Sequence, residues 1–133
     1  LTVGYHAVDR ARVAEGDTVA VFGCGGVGLG AIAAAARRGG RVIAIDVDDR
    51  KLDLARRAGA REGINSTARD VHETLVALTD GDGPLVVIDA VGVPSTVRAA
   101  VEEVAFAGRV VLLGYTPEEI ADLEAKQVVT GPD

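Results

Sequence analysis

The sequence predicts an α/β fold in which a doubly wound parallel β-sheet lies between two layers of helices (α/β/α). Short apolar runs alternate along the chain with longer amphipathic segments, and this alternation favours right-handed crossovers within one parallel sheet. The 133 residues are 48% hydrophobic but only 3% aromatic, so Val, Ala, Leu and Ile must build the core, as in strands buried on both faces. A chain of this length fits one domain, with an expected strand order of 3-2-1-4-5.

The first half of the chain predicts two strands separated by a helix. Residues 2–12 are expected to form a short helix before the first strand, which is the apolar run over residues 18–22. The next helix, over residues 27–38, is rich in alanine and ends where two consecutive glycines stop it. The second strand is the apolar run over residues 41–45.

The second half of the chain repeats this alternation. The helix over residues 48–58 has an apolar face among Arg and Lys side chains, and a weak strand over residues 62–64 follows it. The helix over residues 70–78 also has its apolar residues on one side. The strand over residues 85–88 is an unbroken apolar run, and a proline starts the helix expected over residues 94–105.

The end of the chain carries a weaker pattern. The fifth strand is expected over residues 109–114, and residues 117–133 are expected to form an irregular acidic segment. Within that segment, residues 117–124 are compatible with a helix and residues 128–130 with a short strand, but a Gly-Pro pair follows at once. The sequence therefore predicts that a sixth strand of the sheet is missing.

A glycine turn follows the first strand directly and is the most informative motif of the chain. Its spacing is Gly23-x-Gly25-x-x-Gly28, and Asp46 lies 18 positions after the last glycine, at the end of the second strand. Such glycines permit a sharp turn, close approach of backbone N–H groups to a pyrophosphate, and tight packing of the helix on the strand. A carboxylate about 20 residues further on accepts hydrogen bonds from a ribose. This order is typical of a Rossmann-type fold that binds a dinucleotide.

The charge and cysteine content exclude several classes of function. The net charge of −6 and the isoelectric point near 4.9 argue against a nucleic-acid or anionic-membrane partner, because both require a basic surface. The single cysteine, with no signal peptide or apolar run of membrane length, suits a reducing cytoplasm. The chain contains no Met and begins at Leu1, so we interpret it as a fragment of a longer protein.

Further motifs accompany the glycine turn. Together with the turn itself, residues 23–28 (GCGGVG), the set contains residues 1–8 (LTVGYHAV), Asp46 with Lys51, residues 89–92 (DAVG) and residues 112–115 (LLGY). In combination they resemble the medium-chain, zinc-dependent alcohol dehydrogenase superfamily, and most of all its polyol, threonine and sugar-acid dehydrogenase branch. The resemblance spans about residues 1–116. It implies that NAD is the cofactor, that an alcohol, polyol or sugar acid is the substrate, and that the protein is a homo-oligomer. It places the zinc in a catalytic domain that this chain lacks.

The resemblance also implies which residues contact the cofactor. Gly23, Gly25, Gly26 and Val27 would line the pyrophosphate and the back of the nicotinamide, with Gly28 completing the turn. Asp46 and Lys51 would approach the adenosine ribose, Val91 and Gly92 the cofactor ribose region, and Leu113, Gly114 and Tyr115 the carboxamide. For Lys51, a solvated charge on a helix is an equal alternative.

Four other side chains are candidates for chemistry. Cys24 lies in the glycine turn, but it has no His or acid beside it in the sequence, so we expect it to pack rather than react. His6 and His72 are isolated, and we expect no metal role for either. Asp89 ends a strand, where it would either touch the cofactor or cap a turn. None of the 133 residues resembles a catalytic acid–base pair for hydride transfer or a set of metal ligands.

The sequence therefore favours the NAD(H)-binding domain of a zinc-dependent alcohol or polyol dehydrogenase, inactive when isolated. A non-catalytic module that senses nucleotides is the alternative. A methyltransferase that uses S-adenosylmethionine is a more distant third, because those enzymes usually place an acid before the first glycine, where this chain has Phe22.

Overall fold

The computed structural model describes His6, residues 8–113 and the backbone of residues 128–130. The strands are β1 (Thr18–Phe22), β2 (Arg41–Asp46), β3 (Glu62–Asn65), β4 (Val86–Asp89), β5 (Arg109–Leu112) and β6 (Val128–Thr130). The helices are α1 (Gly26–Arg37), α2 (Asp49–Ala58), α3 (Val71–Leu78) and α4 (Pro94–Glu103). Within the described residues, no helix has the length and apolar character needed to cross a membrane.

All of these strands belong to one parallel sheet with the order β3-β2-β1-β4-β5-β6. The predicted order of the first five strands, 3-2-1-4-5, is thereby confirmed. The α/β class is confirmed by the alternation of strand and helix in the described core. The helical layers on both faces are confirmed because α1 and α2 pack in one core cluster and α3 and α4 in the other. The predicted boundaries of the first five strands and of α1 to α4 differ from the observed ones by two residues at most, which is within the usual uncertainty of element ends.

The core has two halves, one on each face of the sheet. Val19 and Val21 of β1 pack with buried side chains of α1 and α2. Ala20 and Phe22, which alternate with them, pack with buried side chains of α3 and α4. Successive side chains of a strand point to opposite faces, so an uninterrupted apolar strand contributes to both halves. This is why β1 and β4 show no polar positions in their centres.

The expectation that a sixth strand is missing is wrong. Val128–Thr130 forms β6 and pairs in parallel with β5, with Val110 opposite Val128 and Leu112 opposite Thr130. Three residues are too few to show a periodic pattern, and the hydrogen-bond partners that make them a strand lie in a distant part of the chain. The expected irregular segment therefore contains a strand, and the remainder of residues 117–133 lies outside the described residues.

The segment that precedes β1 is fixed against the sheet. His6 and residues 8–10 are helical, in agreement with the predicted helix, of which residues 1–5 and 7 lie outside the described residues. Val8 is fully buried. Arg109 of β5 donates a hydrogen bond from Nε to the carbonyl oxygen of Ala11 at 2.6 Å, and Arg38 pairs with Asp9 at 2.5 Å. These contacts attach the segment to the sheet and to the end of α1.

Candidate functional site

The site lies at the carboxyl ends of the central strands. β1 pairs with β2 on one side and with β4 on the other, so that Phe22 is adjacent to both Ile45 and Asp89. The connections that leave β1 and β4 place their helices on opposite faces of the sheet. Ligands of open α/β sheets bind at such a switch point, outside the carboxyl ends of the strands.

Gly23 makes the turn out of β1 and accepts no other residue type without rearrangement. Its φ is +95°, and a Cβ atom there would lie 2.7 Å from Cγ2 of Val91. Its N–H donates to the carbonyl oxygen of Ile45 at 2.8 Å, which holds the turn against the end of β2. The left-handed conformation and the close approach each favour glycine.

The other glycines of the turn have two different physical roles. A Cβ atom at Gly28 would lie 1.8 Å from the carbonyl oxygen of Gly23, so glycine here allows α1 to pack on the turn. A Cβ atom at Gly25 or Gly26 would meet nothing within 4 Å. No side chain caps α1 at Gly25, and the first N–H groups of a helix have no intrahelical acceptor. The start of α1 is therefore an open cradle that suits an anionic group such as a phosphate.

Asp46 is oriented by the backbone around it. Its Oδ2 accepts a hydrogen bond from the N–H of Cys24 at 2.8 Å, and its Oδ1 accepts from the N–H groups of Val47 and Asp48 at 2.7 and 3.0 Å. An ionised carboxylate has about four acceptor positions, so these three bonds leave capacity for a ligand hydroxyl. The acid is thus joined to the glycine turn and still able to bind.

A cleft of about 630 Å³ joins these features. Of the residues predicted to contact the cofactor, the cleft is lined by Gly23, Gly25, Asp46, Lys51 and Val91. Gly26, Val27, Gly28, Gly92 and Leu113 are not among its lining residues, and Gly114 and Tyr115 lie outside the described residues. The side chain of Leu113 is buried in the core on the α1 side of the sheet. The cleft therefore collects some of the residues predicted for the phosphate and ribose, but none of those predicted for the carboxamide alone.

Asp89 stabilises the loop after β4. The residue is fully buried, and its Oδ1 accepts hydrogen bonds from the N–H groups of Val91 and Gly92 at 2.9 and 3.3 Å. Its Oδ2 accepts a bond from the hydroxyl of Thr96 at 3.1 Å, on the first turn of α4. Of the two interpretations that the sequence left open, these contacts favour the turn cap.

Cys24 is held as a neutral thiol. It is only 1% exposed, and its Sγ donates a weak hydrogen bond to the carbonyl oxygen of Ile45 at 3.9 Å. Burial, followed by the negative charge of Asp46, raises the pKa of the thiol to about 12. The thiolate is the nucleophilic and metal-ligating form of cysteine, so these properties suit packing, as expected. Within the described residues, no group of three or more His, Cys, Asp or Glu side chains could hold a metal ion.

Part of the cleft was not predicted. Several of the additional lining residues lie on α4, where Ser95, Ala99 and Glu103 are spaced four residues apart. This spacing places them on one face of the helix and is visible in the sequence, but nothing local indicates that the face lines a cleft. At the last residue of α4, the two carboxylate oxygens of Glu103 lie 2.8 and 3.1 Å from Nδ1 of His72. The hydrogen bond to Glu103, and then its charge, raise the pKa of His72 above its ordinary value.

Comparisons with curated proteins identify relatives of this chain. The zinc-binding dehydrogenase family matches residues 26–131. Erythritol/L-threitol dehydrogenase of Mycolicibacterium smegmatis is 41% identical over 121 residues, which are 90% of this chain and 33% of that protein. Sorbitol dehydrogenase of Bacillus subtilis is 33% identical over 114 residues, which are 85% of this chain and 32% of that protein. The chain therefore spans about a third of the length of these relatives.

The fold of this chain is also similar to parts of solved dehydrogenase structures. An alcohol dehydrogenase from Thermus sp. ATN1 superposes with a TM-score of 0.82 at 30% identity, covering 99% of this chain and 40% of that one. An alcohol dehydrogenase from Escherichia coli CFT073, determined in complex with the cofactor NADH, superposes with a TM-score of 0.80 at 27% identity. That match covers 97% of this chain and 40% of the other.

Proposed function

Because this chain belongs to the zinc-binding dehydrogenase family, we propose that it is the NAD(H)-binding domain of a zinc-dependent alcohol or polyol dehydrogenase. Family membership confirms the resemblance that the sequence motifs predicted. The observation that carries the proposal is the open cradle at Gly25 and Gly26. A hydrogen bond from the N–H of Cys24, in the same turn, joins this cradle to the oriented carboxylate of Asp46. The relatives named for dehydrogenase activity favour this function over a non-catalytic sensor of nucleotides.

In this proposal the start of α1 binds the pyrophosphate. The unpaired N–H groups of the first turn and the positive end of the helix dipole both favour a negative charge. Gly25 and Gly26 leave room for the phosphate oxygens, since a Cβ atom at either position would project into open space. Gly23 and Gly28 keep the turn and the helix close together, and Val27 is exposed beside them.

Asp46 binds the hydroxyl groups of the adenosine ribose. Its carboxylate is held by three backbone N–H groups and lines the cleft. Lys51 lines the same cleft, which supports a role at the ribose or phosphate rather than a purely solvated charge. Val91 and Gly92, on the loop held by Asp89, are proposed to contact the cofactor ribose region.

The nicotinamide is assigned by the family resemblance to Leu113, Gly114 and Tyr115. When bound, NAD supplies the carbon that accepts a hydride from the alcohol. This chain binds and orients the cofactor, whereas zinc and the substrate are proposed to be held by a catalytic domain. The support is that the curated relatives are about three times longer than the matched segment.

The finer features of the protein are also proposals. A cytoplasmic location is supported by the single, buried, free cysteine, which suits a reducing compartment. The net charge of −6 argues against nucleic-acid and anionic-membrane partners. A homo-oligomer is supported by the sheet itself, because β6 is its terminal strand among the described residues and an unpaired edge can receive another strand. Light scattering that shows only a monomer of this chain would argue against association through that edge.

Titration of this chain with NADH, followed by cofactor fluorescence, tests the proposed function. The matched variant is Gly25→Ala. Gly25 has φ −78° and ψ −168°, which alanine adopts freely, and its Cβ atom would meet nothing within 4 Å. We expect an unchanged melting temperature and NADH binding that is weaker by at least about tenfold, or about 1.4 kcal/mol.

Alcohol oxidation by the same chain completes the test. We expect no turnover with added zinc, because no metal-binding cluster occurs among the described residues and the substrate is assigned to a separate domain. Equal NADH affinity of Gly25→Ala and the unaltered chain would contradict the cradle. Turnover by this chain alone would contradict the assignment of zinc and substrate binding to a separate catalytic domain.

A further inference from the structure

The nucleotide cleft has a polar end that the proposed function does not use. α4 begins beside the glycine turn, because Thr96 on its first turn bonds to Asp89, which is adjacent to Phe22 at the end of β1. Ser95, Ala99 and Glu103 then line the cleft along one face of the helix. A helix rises 1.5 Å per residue, so the face from Ser95 to Glu103 is about 12 Å long. Glu103 therefore marks the end of the cleft away from the glycine turn.

The carboxylate of Glu103 lies on the inner side of an ion pair. Its side chain is 10% exposed, whereas the side chain of its partner His72 is 68% exposed. Nδ1 of His72 lies 2.8 and 3.1 Å from the two carboxylate oxygens. His72 is the second residue of α3, and its neighbour Val71 also lines the cleft. The histidine therefore covers the acid from the solvent side and leaves acceptor positions of the carboxylate for the cleft.

An ion pair that only joined α3 to α4 would not require Glu103 to be so much more buried than His72. Removing a carboxylate from water is unfavourable, and a pair between two exposed side chains would connect α3 and α4 without that cost. Binding clefts, by contrast, are mainly apolar and contain a few oriented polar groups that determine which ligand fits. Phe22, Ile45 and Val71 supply apolar walls here, and Glu103 supplies an oriented acceptor at their end.

We propose that Glu103 is a specificity-determining residue that accepts a hydrogen bond from the exocyclic amine of the adenine base. His72 is its positioning residue. The inference rests on the proposed function, because it requires a dinucleotide with its phosphates at the glycine turn and its ribose at Asp46. The base is then the group that continues into the cleft. Adenine presents an N–H donor at its C6 position, whereas hypoxanthine presents a carbonyl oxygen there, which an ionised carboxylate cannot bond.

The test compares NAD with its analogue in which hypoxanthine replaces adenine. Isothermal titration of the unaltered chain is expected to give at least about fivefold tighter binding of NAD, because hydrogen bonds to a charged group are among the stronger ones. In Glu103→Gln the amide can donate to the hypoxanthine oxygen as well as accept from adenine. The preference for NAD should therefore fall to about twofold or less.

Two further variants separate base recognition from general effects. Glu102→Gln removes the same charge from an exposed neighbouring position on α4 and should keep the full preference for NAD. His72→Gln leaves Glu103 in place but removes its positioning partner, so the preference should fall although the acid remains. A merely structural role of His72 would change the melting temperature without changing the ratio of the two affinities.

Failure of adenine recognition by Glu103 can be distinguished from failure of the proposed NAD binding. If the folded, unaltered chain binds neither dinucleotide, the proposed function fails and the inference fails with it. If it binds NAD and the analogue equally, the inference alone is overturned, and this measurement needs no variant. Tight NAD binding with an unchanged preference in both Glu103→Gln and His72→Gln would overturn it in the same way.

Discussion

The backbone N–H of Cys24 donates a hydrogen bond of 2.8 Å to Oδ2 of Asp46, across 22 positions of the chain. This bond joins the glycine turn, which is proposed to bind phosphate, to the acid that is proposed to bind ribose. One N–H group of the turn is therefore committed to the protein rather than to the ligand. The distance between the two binding features is determined by the protein before any cofactor arrives, which lowers the ordering cost of binding.

Substitution of Asp46 is expected to change the choice between NAD and NADP. The carboxylate accepts bonds from the ribose hydroxyls of NAD but faces a like charge in the 2′-phosphate of NADP, which costs on the order of several kcal/mol. Asp46→Ser should narrow the NAD/NADP affinity ratio by at least about tenfold, or about 1.4 kcal/mol, mainly through weaker NAD binding. Paired titrations with both cofactors measure this ratio.

Asp53→Ser is the matched control for charge. Asp53 is exposed on α2, pairs with Arg56 at 3.0 Å and does not line the cleft. The control should leave the ratio unchanged. An unchanged ratio in Asp46→Ser itself would show that this acid does not bind the ribose, and the nucleotide assignment would then depend on the glycine turn alone.

Gly28→Ala should destabilise the fold, in contrast to Gly25→Ala. The new Cβ atom would lie 1.8 Å from the carbonyl oxygen of Gly23, so the turn or α1 must move. Overpacking of this kind costs about 1–3 kcal/mol. Thermal unfolding of the two variants beside the unaltered chain measures the difference. Equal melting temperatures for both would mean that α1 packs less closely on the turn than the structure shows.

The pair of His72 and Glu103 predicts a stability that falls with rising pH. The hydrogen bond to Glu103, and then its negative charge, raise the folded-state pKa of His72, with Asp70 and Glu73 acting in the same direction. A raised pKa gives a contribution that is complete below the unfolded value of about 6.5 and is lost as the pH rises through the folded value. The melting temperature should therefore decrease above about pH 6.5.

His72→Gln checks the source of this pH dependence. The melting temperatures of the variant and the unaltered chain should converge as the pH rises, because neutral histidine makes no ion pair. Because His72 is exposed, added salt should also reduce the difference at low pH. A difference that stays constant across the whole range would assign the pH dependence to other groups.

Ala107→Gly should stabilise the chain. Ala107 has a φ of +64°, and the left-handed conformation costs an L-residue about 1–2 kcal/mol. Glycine removes this strain but loses more conformational entropy on folding, about 0.5–1 kcal/mol, so the net gain should be about 0.5–1 kcal/mol. Chemical denaturation measures it. Ala105→Gly, at a neighbouring position without a positive φ, should instead reduce stability.

The sequence by itself determined the α/β class, the order of the first five strands and the position of the glycine turn. These features depend on local spacing, because Gly23, Gly25 and Gly28 lie within one turn and Asp46 ends the next strand. Apolar runs and helix caps act over a few residues, so they can be interpreted without knowing what packs against them.

Only the tertiary structure decided which distant residues meet. Val128–Thr130 became a strand because β5 supplied its hydrogen-bond partners. His72 met Glu103 across 31 positions, and Asp89 was identified as a turn cap by contacts that its strand position alone left open. The physical reason is the same in each case. A side chain or a short strand is stabilised by groups that the folded core brings to it, and its own sequence specifies neither those groups nor their distance.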